Sequence, residues 1–397
     1  MMHAVTLAAP DAKSLRHWLL GTVCPYWSER LTDPQGGFYE GIDSQGRPAM
    51  SPVRHVLVQA RLTYVFSHAA VLNRSPATLA AADHGFAQLQ RWSHSRTGGW
   101  ARAQSNATQL SDSAVVDATR DTYDQAFVIF ASAWYFRASG DPAAIAMAEQ
   151  AYAFLQAQLA DAEHGGFFEE HPNRARLPRR QNPHMHLLEA TLAMHAATGE
   201  GRWLDASRQM VGLFEHKFYD STSGSIGEFF RLDWSPAEGA EGALREPGHQ
   251  FEWAWLLCEY AKASGDSRAL ALADRLFDFG QRFGPDTTGP LSGFMVDGVD
   301  GQGRISADTK LFWPQTEYIK ACVVRSERGL PGMHEAAQAH LALLRAHYFR
   351  ADGANWCNQF SRNGECLSEV TPARVLYHLF LAVAEVIRLK ESAEASS

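Results

Sequence analysis

Long apolar runs are absent from the 397-residue sequence, and so are blocks of basic residues. No window of about 18 consecutive apolar residues exists, which is the length a membrane-spanning helix needs, so no membrane partner is expected. The formal net charge of -8, with lysine and arginine scattered along the chain, argues against nucleic acid as a partner. These absences favour a globular protein that acts on a small molecule.

Cysteine is also scarce. The five cysteines are odd in number, and none has the C-x-x-C spacing: Cys24, Cys258, Cys322, Cys357 and Cys366. This pattern predicts neither a zinc site nor a disulfide framework, and it suits a reducing cytoplasm. The first residues lack a cationic segment followed by an apolar run, so they are interpreted as a short tail before an amphipathic helix, not as a signal peptide. Neither G-x-x-x-x-G-K-[ST] nor G-x-G-x-x-G after a strand is present, which argues against a nucleotide site.

Alternating β patterns are missing too, whereas glycine–aromatic segments recur at a regular interval. They are GGFYE at Gly36, GGW at Gly98, GGFFE at Gly165, SGSIGEFF at Gly224, SGFMVDG at Gly293 and ADGANW at Gly353. An interval of about 60 to 70 residues holds two helices of roughly 15 to 20 residues with their loops. The spacing therefore predicts six repeated helical hairpins.

The segments between these loops have helical periodicity, with apolar residues at i, i+3, i+4 and i+7. In each unit a nearly uncharged stretch, such as 124–136 or 251–263, precedes a more charged amphipathic one, such as 268–283. The first kind predicts an inner helix and the second an outer helix. Together they predict an all-α (α/α)6 barrel of six inner and six outer helices, with residues 1–397 as a single catalytic domain. An open superhelix of paired helices is the alternative.

In such a barrel the N-terminal ends of the inner helices surround one opening, so polar residues at these ends share a site. The candidates are Arg54, Tyr123, Asp124, Asn182, His184, His186, His249, Glu252, Trp313, Gln315, Glu317, Arg374 and His378. Any one of them alone is more simply a helix cap or a satisfied polar partner. Five of the six units supply a histidine, glutamate or arginine, and this coincidence points to a functional site.

His249 stands in the first turn of the helix that begins at Pro247. The positive end of the helix dipole disfavours an imidazolium there, so we expect a neutral ring near pH 7 that can act as a base. Glu252, one turn further on, is expected to orient this ring or to bind a sugar hydroxyl. The simpler alternative for the pair is an ordinary contact between residues i and i+3 of a helix.

The histidines do not predict a metal site. His184 and His186 are two residues apart, so on a helix their rings point about 200° apart and cannot bind one ion together. His186 instead shares a face with Asn182, and the metal motif H-E-x-x-H is absent. Six aromatic residues near loops and helix starts suit sugar stacking, although half or more can belong to the core: Phe38, Trp100, Phe229, Trp253, Trp313 and Trp356.

Several of these segments together resemble one enzyme family. They are the long inner helix that follows Arg54, N-x-x-x-H at 182–186, P-G-H-x-x-E-W at 247–253, W-P-Q-x-E at 313–317 and R-V-L-Y-H at 374–378. Over nearly its whole length the sequence resembles the N-acylglucosamine 2-epimerase family, and within it the D-mannose isomerase branch. The family also includes a sulfosugar aldose–ketose isomerase and cellobiose 2-epimerases, and the resemblance implies an (α/α)6 barrel.

The resemblance also implies roles for the matching residues. His249 and His378 are implied to be the acid/base histidines that flank C2 of an open-chain sugar, and His186 to assist ring opening. Arg54 is implied to steady the enediolate oxygen. The further residues expected to bind substrate or orient histidines are Tyr123, Asn182, Glu252, Trp313 and Glu317. One segment departs from the family: EGALREPGH stands where an R-P-Y-G-like segment is common, so a substrate contact by Arg245 is left open.

The expected activity is cofactor-independent isomerisation of a monosaccharide, D-mannose to D-fructose, through a cis-enediolate. A sugar 2-epimerase acting on N-acylglucosamine, cellobiose or mannose and glucose is the alternative, because two histidines can also exchange protons on opposite faces of C2. Two other classes stay open: an (α/α)6 glycoside hydrolase that uses Glu252 and Glu317, and a sugar-binding toroid without catalysis. A cytoplasmic monomer or homodimer is expected.

Overall fold

The fold was analysed in a computed structural model that describes residues 11–93, 98–105 and 115–396. Most of the expected N-terminal tail lies outside these ranges. The first outer position holds a broken helix, made of α1 (Ala12–Trp18), a π-helical turn (Leu19–Val23) and α2 (Cys24–Leu31). It packs beside the last helix of the chain, which completes the barrel from the other end.

Five hairpins follow, each with an inner helix and then an outer one. They are α3 (Val56–Asn73) with α4 (Pro76–Trp92), α5 (Thr122–Ser139) with α6 (Pro142–Phe154), and α7 (Asn182–Thr198) with α8 (Gly201–Leu213); after the short α9 (Gly239–Ala243) come α10 (Pro247–Ser264) with α11 (Arg268–Phe283), and α12 (Phe312–Glu327) with α13 (Met333–His347). The sixth inner helix is α14 (Leu376–Ser396), entered through a 3-10 turn (Ala373–Val375). Further π-helical turns follow α6 (Leu155–Leu159) and α8 (Phe214–Phe218).

The inner helices form a closed ring. Contacts run from α3 to α5, α7, α10, α12 and α14 in turn, and α14 packs against α3. The first and last inner helices therefore meet, which confirms the barrel and rules out the open superhelix. The two layers also explain the sequence pattern, because α10 is buried on nearly all sides whereas α11 buries a single stripe. Within the described ranges, no helix has both the length and the apolar character to cross a bilayer.

Short antiparallel strands tie the loops together at the end where the inner helices begin. They are β1 (Gly41–Asp43), β2 (Val53–His55), β3 (Ala103–Ser105), β4 (Val115–Asp117), β5 (Arg120–Asp121), β6 (Glu170–His171), β7 (Arg179–Arg180), β8 (Tyr219–Asp220), β9 (Ser225–Ile226), β10 (Phe229–Phe230), β11 (Leu244–Arg245), β12 (Gly298–Asp300), β13 (Ile305–Ala307), β14 (Lys310–Leu311), β15 (Gln359–Phe360) and β16 (Val370–Pro372). Pairs such as β5–β6, β7–β10 and β14–β15 join neighbouring units, and β1–β16 joins the two ends of the chain.

The repeat in the sequence coincides with a hydrogen-bond pattern that recurs between the glycine–aromatic loops and the inner helices. The Gln59 side-chain oxygen accepts from the Phe38 N–H at 2.7 Å, and its amide nitrogen donates to the Phe38 carbonyl at 3.0 Å. The same clamp joins Gln125 to Trp100, Gln250 to Ile226 and Gln315 to Met295. In the third unit His184 takes this position, and its Nε2 accepts from the Phe167 N–H at 2.9 Å. His184 is therefore part of the scaffold.

A second repeated feature is an ion pair at the entrance to the inner helices. A cation two or three residues before the helix contacts an aspartate that opens the preceding glycine loop. The pairs are Arg54–Asp33 at 2.9 Å, Arg179–Asp161 at 2.7 Å, Arg245–Asp220 at 3.5 Å and Lys310–Asp286 at 2.9 Å. Three of these pairs are buried, so they hold the loops in place where solvent cannot replace either partner.

The expectation that the cysteines form no disulfide is wrong. Cys357 and Cys366 are bonded, with their Cα atoms 5.9 Å apart, while Cys24, Cys258 and Cys322 are free and buried. The cause is a turn that the cysteine spacing does not reveal. After β15 the chain folds back so that Phe360 bridges to Cys366, which brings the two cysteines together.

Replacing Asp33 with alanine would leave the Arg54 guanidinium buried without its carboxylate. We expect the free energy of unfolding, measured by urea titration, to fall by about 3 to 5 kcal/mol. The double variant Asp33→Ala/Arg54→Met should recover part of this loss, because it removes the stranded charge. Glu29→Ala, which removes an exposed partner of Arg30, is the control and should change stability little. An Asp33→Ala variant as stable as this control would contradict the scaffold role.

Candidate active site

A cavity of about 400 Å³ opens where the inner helices begin. Side chains from all six units line it: Leu57, Arg61, Tyr123, Arg180, Asn182, His186, Glu228, Phe229, Glu246, His249, Glu252, Leu311, Trp313, Asn358, Arg374, Val375 and His378. The convergence predicted from the barrel is therefore present. Seven of the nine expected site residues lie on its wall: Tyr123, Asn182, His186, His249, Glu252, Trp313 and His378. The Trp313 ring lies 4.9 Å from His249 and 5.6 Å from His378 between ring centroids.

The three cavity histidines share one arrangement, in which Nδ1 contacts a glutamate. His186 contacts Glu189 at 3.0 Å, His249 contacts Glu228 at 2.8 Å and His378 contacts Glu317 at 2.7 Å. A carboxylate on Nδ1 fixes the ring orientation and leaves Nε2 as the atom that can meet a ligand. The three rings are therefore set up alike, although their surroundings give them different charges.

His249 is charged, contrary to the expectation of a neutral ring. Burial alone would lower its pKa, but the carboxylates of Glu228 and Glu246 raise the pKa of His249 to about 10. These two nearby carboxyl groups outweigh the partial positive charge of a helix end. Glu228 also replaces Glu252 as the partner that orients the ring. It comes from the loop before α9, a place that helix spacing cannot predict.

The Nε2 atom of His249 lies 2.9 Å from the amide nitrogen of Asn182. The Asn182 oxygen has no hydrogen-bond partner among the described residues. Rotation of the amide by half a turn would present that oxygen to the Nε2 proton of the imidazolium. The Asn182 oxygen is therefore placed to accept a hydrogen bond from the Nε2–H group of His249.

The ring of His378, in contrast to that of His249, is neutral. Burial lowers its pKa well below the usual range, and the positive charges of Arg61 and Lys320 lower it further. Its partner Glu317 is not on the cavity wall: its second oxygen lies 2.6 Å from the Lys320 ammonium, and the side chain is fully buried. Glu317 is thus a residue that orients His378, and the expectation that it touches substrate is not met.

His186 is neutral for the same reason as His378. Burial lowers the pKa of His186 to about 3. Its partner Glu189 also accepts from the Tyr377 hydroxyl, which keeps that carboxylate fixed. The ring stands beside Tyr123, with 5.1 Å between ring centroids. A neutral imidazole held in this way can give or take a proton at a sugar oxygen.

Arg54 does not reach the cavity. Its guanidinium is only 1% exposed and is held by Asp33, as one member of the repeated ion pairs. Arg61, nearly two turns further along the same unit, lines the cavity instead. It donates to the Tyr123 hydroxyl at 2.7 Å and to the Arg374 carbonyl at 3.1 Å, and it has no ion-pair partner among the described residues. Arg245 belongs to the scaffold pairs as well and is not part of the cavity wall.

Several polar atoms on the wall have no hydrogen-bond partner in the described part of the chain. They are both carboxylate oxygens of Glu252, the side-chain oxygens of Asn182 and Asn358, and Nε of Arg61. Leaving buried polar atoms unpaired costs free energy, so such a set indicates a ligand that supplies the missing donors and acceptors. A polyhydroxylated molecule does both.

Three groups of acidic and histidine side chains approach closely enough to hold a cation: His186 with Glu189 and Glu252, His249 with Glu228 and Glu246, and His378 with Glu252 and Glu317. In the third group a cation is already built in. The Lys320 ammonium lies 2.6 Å from Glu317 and 3.8 Å from Glu252. In the other two groups Nδ1 of the histidine contacts a carboxylate, so Nε2 is the ring atom left to meet a ligand.

Similarity to known proteins identifies the family of this chain. Residues 36–382 match the family described as N-acylglucosamine 2-epimerase (GlcNAc 2-epimerase). The chain belongs to the N-acylglucosamine 2-epimerase family. Like the members it matches, this N-acylglucosamine 2-epimerase family protein is an enzyme, an isomerase or epimerase.

Relatives within the family span nearly the whole chain. A protein named mannose-6-phosphate isomerase from Rhizobium meliloti is 33% identical over 390 residues, covering 95% of this chain and 96% of the relative. A D-mannose isomerase from Marinomonas mediterranea is 25% identical over 324 residues, covering 78% and 80%. A crystal structure of D-mannose isomerase has a TM-score of 0.84 at 22% identity, over 95% of this chain and 98% of that one. The last likeness confirms the barrel fold.

Sequence reasoning missed Arg61, Glu189 and Lys320, which lie beneath or beside the cavity. A signal was present, because each is a charged residue inside an inner helix whose neighbouring residues are largely buried. A charge in such a helix must be paired or must serve a site. It also missed Glu228 and Glu246, which stand in the loop region ahead of α10 and carry no comparable signal.

The charge of His249 can be tested directly by NMR of histidine-labelled protein. We expect its ring to be doubly protonated at pH 8, while His184, with a pKa lowered to about 3 by burial, stays neutral as an internal reference. In Glu228→Gln the pKa of His249 should fall, because the main charge that raises it is gone. A neutral His249 at pH 8 in the wild-type protein would contradict the assignment.

Proposed function

We propose that the protein interconverts an aldose and a ketose, D-mannose and D-fructose, by histidine proton transfer through a cis-enediolate. One observation supports the proposal most strongly: His249, whose ring is positively charged, and His378, whose ring is neutral, face the same cavity. Removal of a weakly acidic C–H proton needs an unprotonated base, and the neighbouring carbonyl oxygen needs a proton donor at the same time. A charged His249 and a neutral His378 supply these two partners near neutral pH.

In the forward direction Nε2 of His378 takes the C2 proton of the open-chain aldose, which leaves a cis-enediolate with its negative charge on O1, and His249 then gives this oxygen a proton. The C2–H electron pair becomes the C1–C2 double bond of the enediol. His378 then returns its proton to C1, and the O2 proton passes to His249 as the C2 carbonyl forms. The protons balance, and both histidines recover their starting states.

Arg61 supports the charged intermediate. A buried guanidinium without a carboxylate partner is costly alone and favours a ligand that develops negative charge beside it. The negative charge of the enediolate lies on O1 and O2, so we place Arg61 against one of these oxygens. His186, Glu252 and Trp313 complete the binding: His186 assists ring opening, Glu252 accepts two sugar hydroxyls, and Trp313 covers a face of the substrate.

A 2-epimerase is the second candidate, because an acid and a base on opposite faces of C2 can also invert that carbon. The names of the two relatives described above favour the isomerase outcome. The hydrolase alternative loses support, since Glu317 is buried behind His378 and cannot reach a glycosidic bond together with Glu252. Incubation with mannose, fructose, glucose and N-acetylglucosamine, followed by product analysis, tests the choice; glucose as the main product from mannose would favour epimerisation.

The name of the Rhizobium meliloti relative adds a phosphate to the substrate, whereas that of the Marinomonas mediterranea relative does not. The proposal therefore covers the free and the phosphorylated hexose. We also propose that the helices form one catalytic domain, as their closed ring supports. Location in the cytoplasm and assembly as a monomer or homodimer stay predictions from the sequence.

Substituting either acid/base histidine should abolish isomerisation without unfolding the barrel. We expect His249→Ala and His378→Ala each to lower kcat/KM for mannose by about 10²- to 10⁴-fold, the usual range for general acid–base groups. His184→Gln is the matched control, because glutamine fills the same scaffold position in four other units, and it should keep activity. More than a few per cent of wild-type activity in His378→Ala would remove this residue from the base role.

The pH dependence follows from the two charge states. Activity needs a neutral His378, whose pKa is lowered, and a charged His249, whose pKa is about 10. On acidification the rate should fall only below pH 6.5, as His378 takes up a proton. On alkalinisation it should fall near pH 10, as His249 loses one. A profile of kcat/KM with a single rise through pH 7 and no alkaline limb would contradict this pairing.

The reaction as proposed uses no metal. Dialysis against EDTA followed by assay in metal-free buffer should leave kcat/KM for mannose within about twofold of its starting value, because the charge stabilisation comes from Arg61 and His249. Loss of activity that returns with a divalent cation would show that one of the three acidic groups binds a metal.

A further inference from the structure

The cavity wall carries an exposed arginine that the proposed proton transfers do not use. Three arginines line the cavity, and their guanidinium groups differ in the partners that they contact. Arg61 is buried and is assigned to the enediolate. Arg180 contacts Glu169 at 2.8 Å. The guanidinium of Arg374 is exposed and makes neither a hydrogen bond nor an ion pair with any described residue.

Arg374 is held by its backbone while its side chain stays available. Its carbonyl accepts from Arg61, and it lies in the 3-10 turn that leads into α14, one turn before His378. A carboxylate in this region, Glu40, is already bound to the backbone N–H and the ring of His55. The Arg374 guanidinium therefore extends from a fixed point on the wall and has no partner among residues 11–93, 98–105 and 115–396.

The three guanidinium groups act on one part of the cavity. Burial raises the pKa of the Tyr123 phenol, the charges of Arg61, Arg180 and Arg374 lower it, and the Glu252 carboxylate raises it. The carboxylates Glu228 and Glu246 are engaged with His249 and do not pair with these arginines. Arg180 is paired with Glu169, so Arg374 is the exposed guanidinium that this part of the wall leaves for a ligand.

We propose that Arg374 forms a subsite for a phosphate monoester at the end of the sugar remote from C1, so that the enzyme's substrate is a hexose 6-phosphate. The inference rests on the proposed function, because C1 and C2 must meet His249 and His378 for the far end to lie beside Arg374. A guanidinium binds phosphate through two parallel N–H···O bonds, which gives affinity and orientation together. Arg180 adds to the field from the same side.

The test compares D-mannose with D-mannose 6-phosphate on wild-type enzyme, Arg374→Gln and Arg208→Gln. The last variant removes an exposed arginine from the outer helix α8 and is the matched control. We expect wild-type kcat/KM to be at least tenfold higher for the phosphorylated sugar. In Arg374→Gln the ratio of the two kcat/KM values should fall by about 10- to 100-fold, as for loss of a charge-assisted bond to phosphate. Arg208→Gln should keep the wild-type ratio.

A binding measurement separates the subsite from the reaction. 2-Deoxy-D-glucose 6-phosphate lacks the C2 hydroxyl and cannot form a ketose, so calorimetry can compare its Kd with that of 2-deoxy-D-glucose. Tighter binding of the phosphate form that is lost in Arg374→Gln supports the subsite, even if neither mannose nor its phosphate is isomerised and the proposed function fails. Equal affinity for the two probes, or a ratio unchanged by Arg374→Gln, overturns the subsite, while isomerisation of mannose would still support the function.

Discussion

One buried ammonium, that of Lys320, holds the floor of the cavity together. It is surrounded by the carboxylates of Glu189, Glu252 and Glu317, and their charges raise its pKa against the effect of burial. Three buried carboxylates without a cation would repel one another, and a buried lysine without carboxylates would lose its proton. Each charge is therefore tolerated because of the others. Of the glutamates fixed in this way, Glu189 and Glu317 orient His186 and His378, and Glu252 lines the cavity.

The surroundings explain why two histidine–glutamate pairs of similar geometry differ in charge. Glu228 and Glu246 have no lysine or arginine as an ion-pair partner in the described part of the chain, and they raise the pKa of His249. Burial lowers the pKa of His378, and the positive charges of Arg61 and Lys320 lower it further. Glu317, which orients His378, is shared with the Lys320 ammonium.

Much of the architecture could be predicted from the sequence, because it depends on local rules. The interval between glycine–aromatic loops indicates the length of a helical hairpin. The stretches with few charges indicate helices that are buried on both sides. Once closure is assumed, residues at the helix starts must meet, which is why His186, His249 and His378 were found. The clamp formed by Gln59 and its counterparts repeats at the start of these helices, so the sequence repeat and the structural repeat coincide.

The sequence-based predictions were wrong for residues whose contacting partners are distant in the sequence. Arg54 and Arg61 are seven residues apart and both are buried, and only the loop carrying Asp33 shows which of them belongs to the scaffold. His249 stands at a helix start, but Glu228, which sets its charge, precedes it by 21 residues in an irregular segment. The turn that joins Cys357 to Cys366 is likewise invisible in the cysteine spacing. Tertiary contacts made by loops, not helix geometry, decided each of these cases.

The account depends on His378 staying neutral through burial and through the positive charges of Arg61 and Lys320, and the acid limb of the pH–rate profile reports this most directly. Lys320→Gln keeps a donor beside Glu317 but removes the positive charge. In folded Lys320→Gln protein the unbalanced carboxylates should raise the pKa of His378, so the acid limb of kcat/KM for mannose should move to higher pH by at least one unit. An acid limb at the wild-type position in that variant would contradict the central claim.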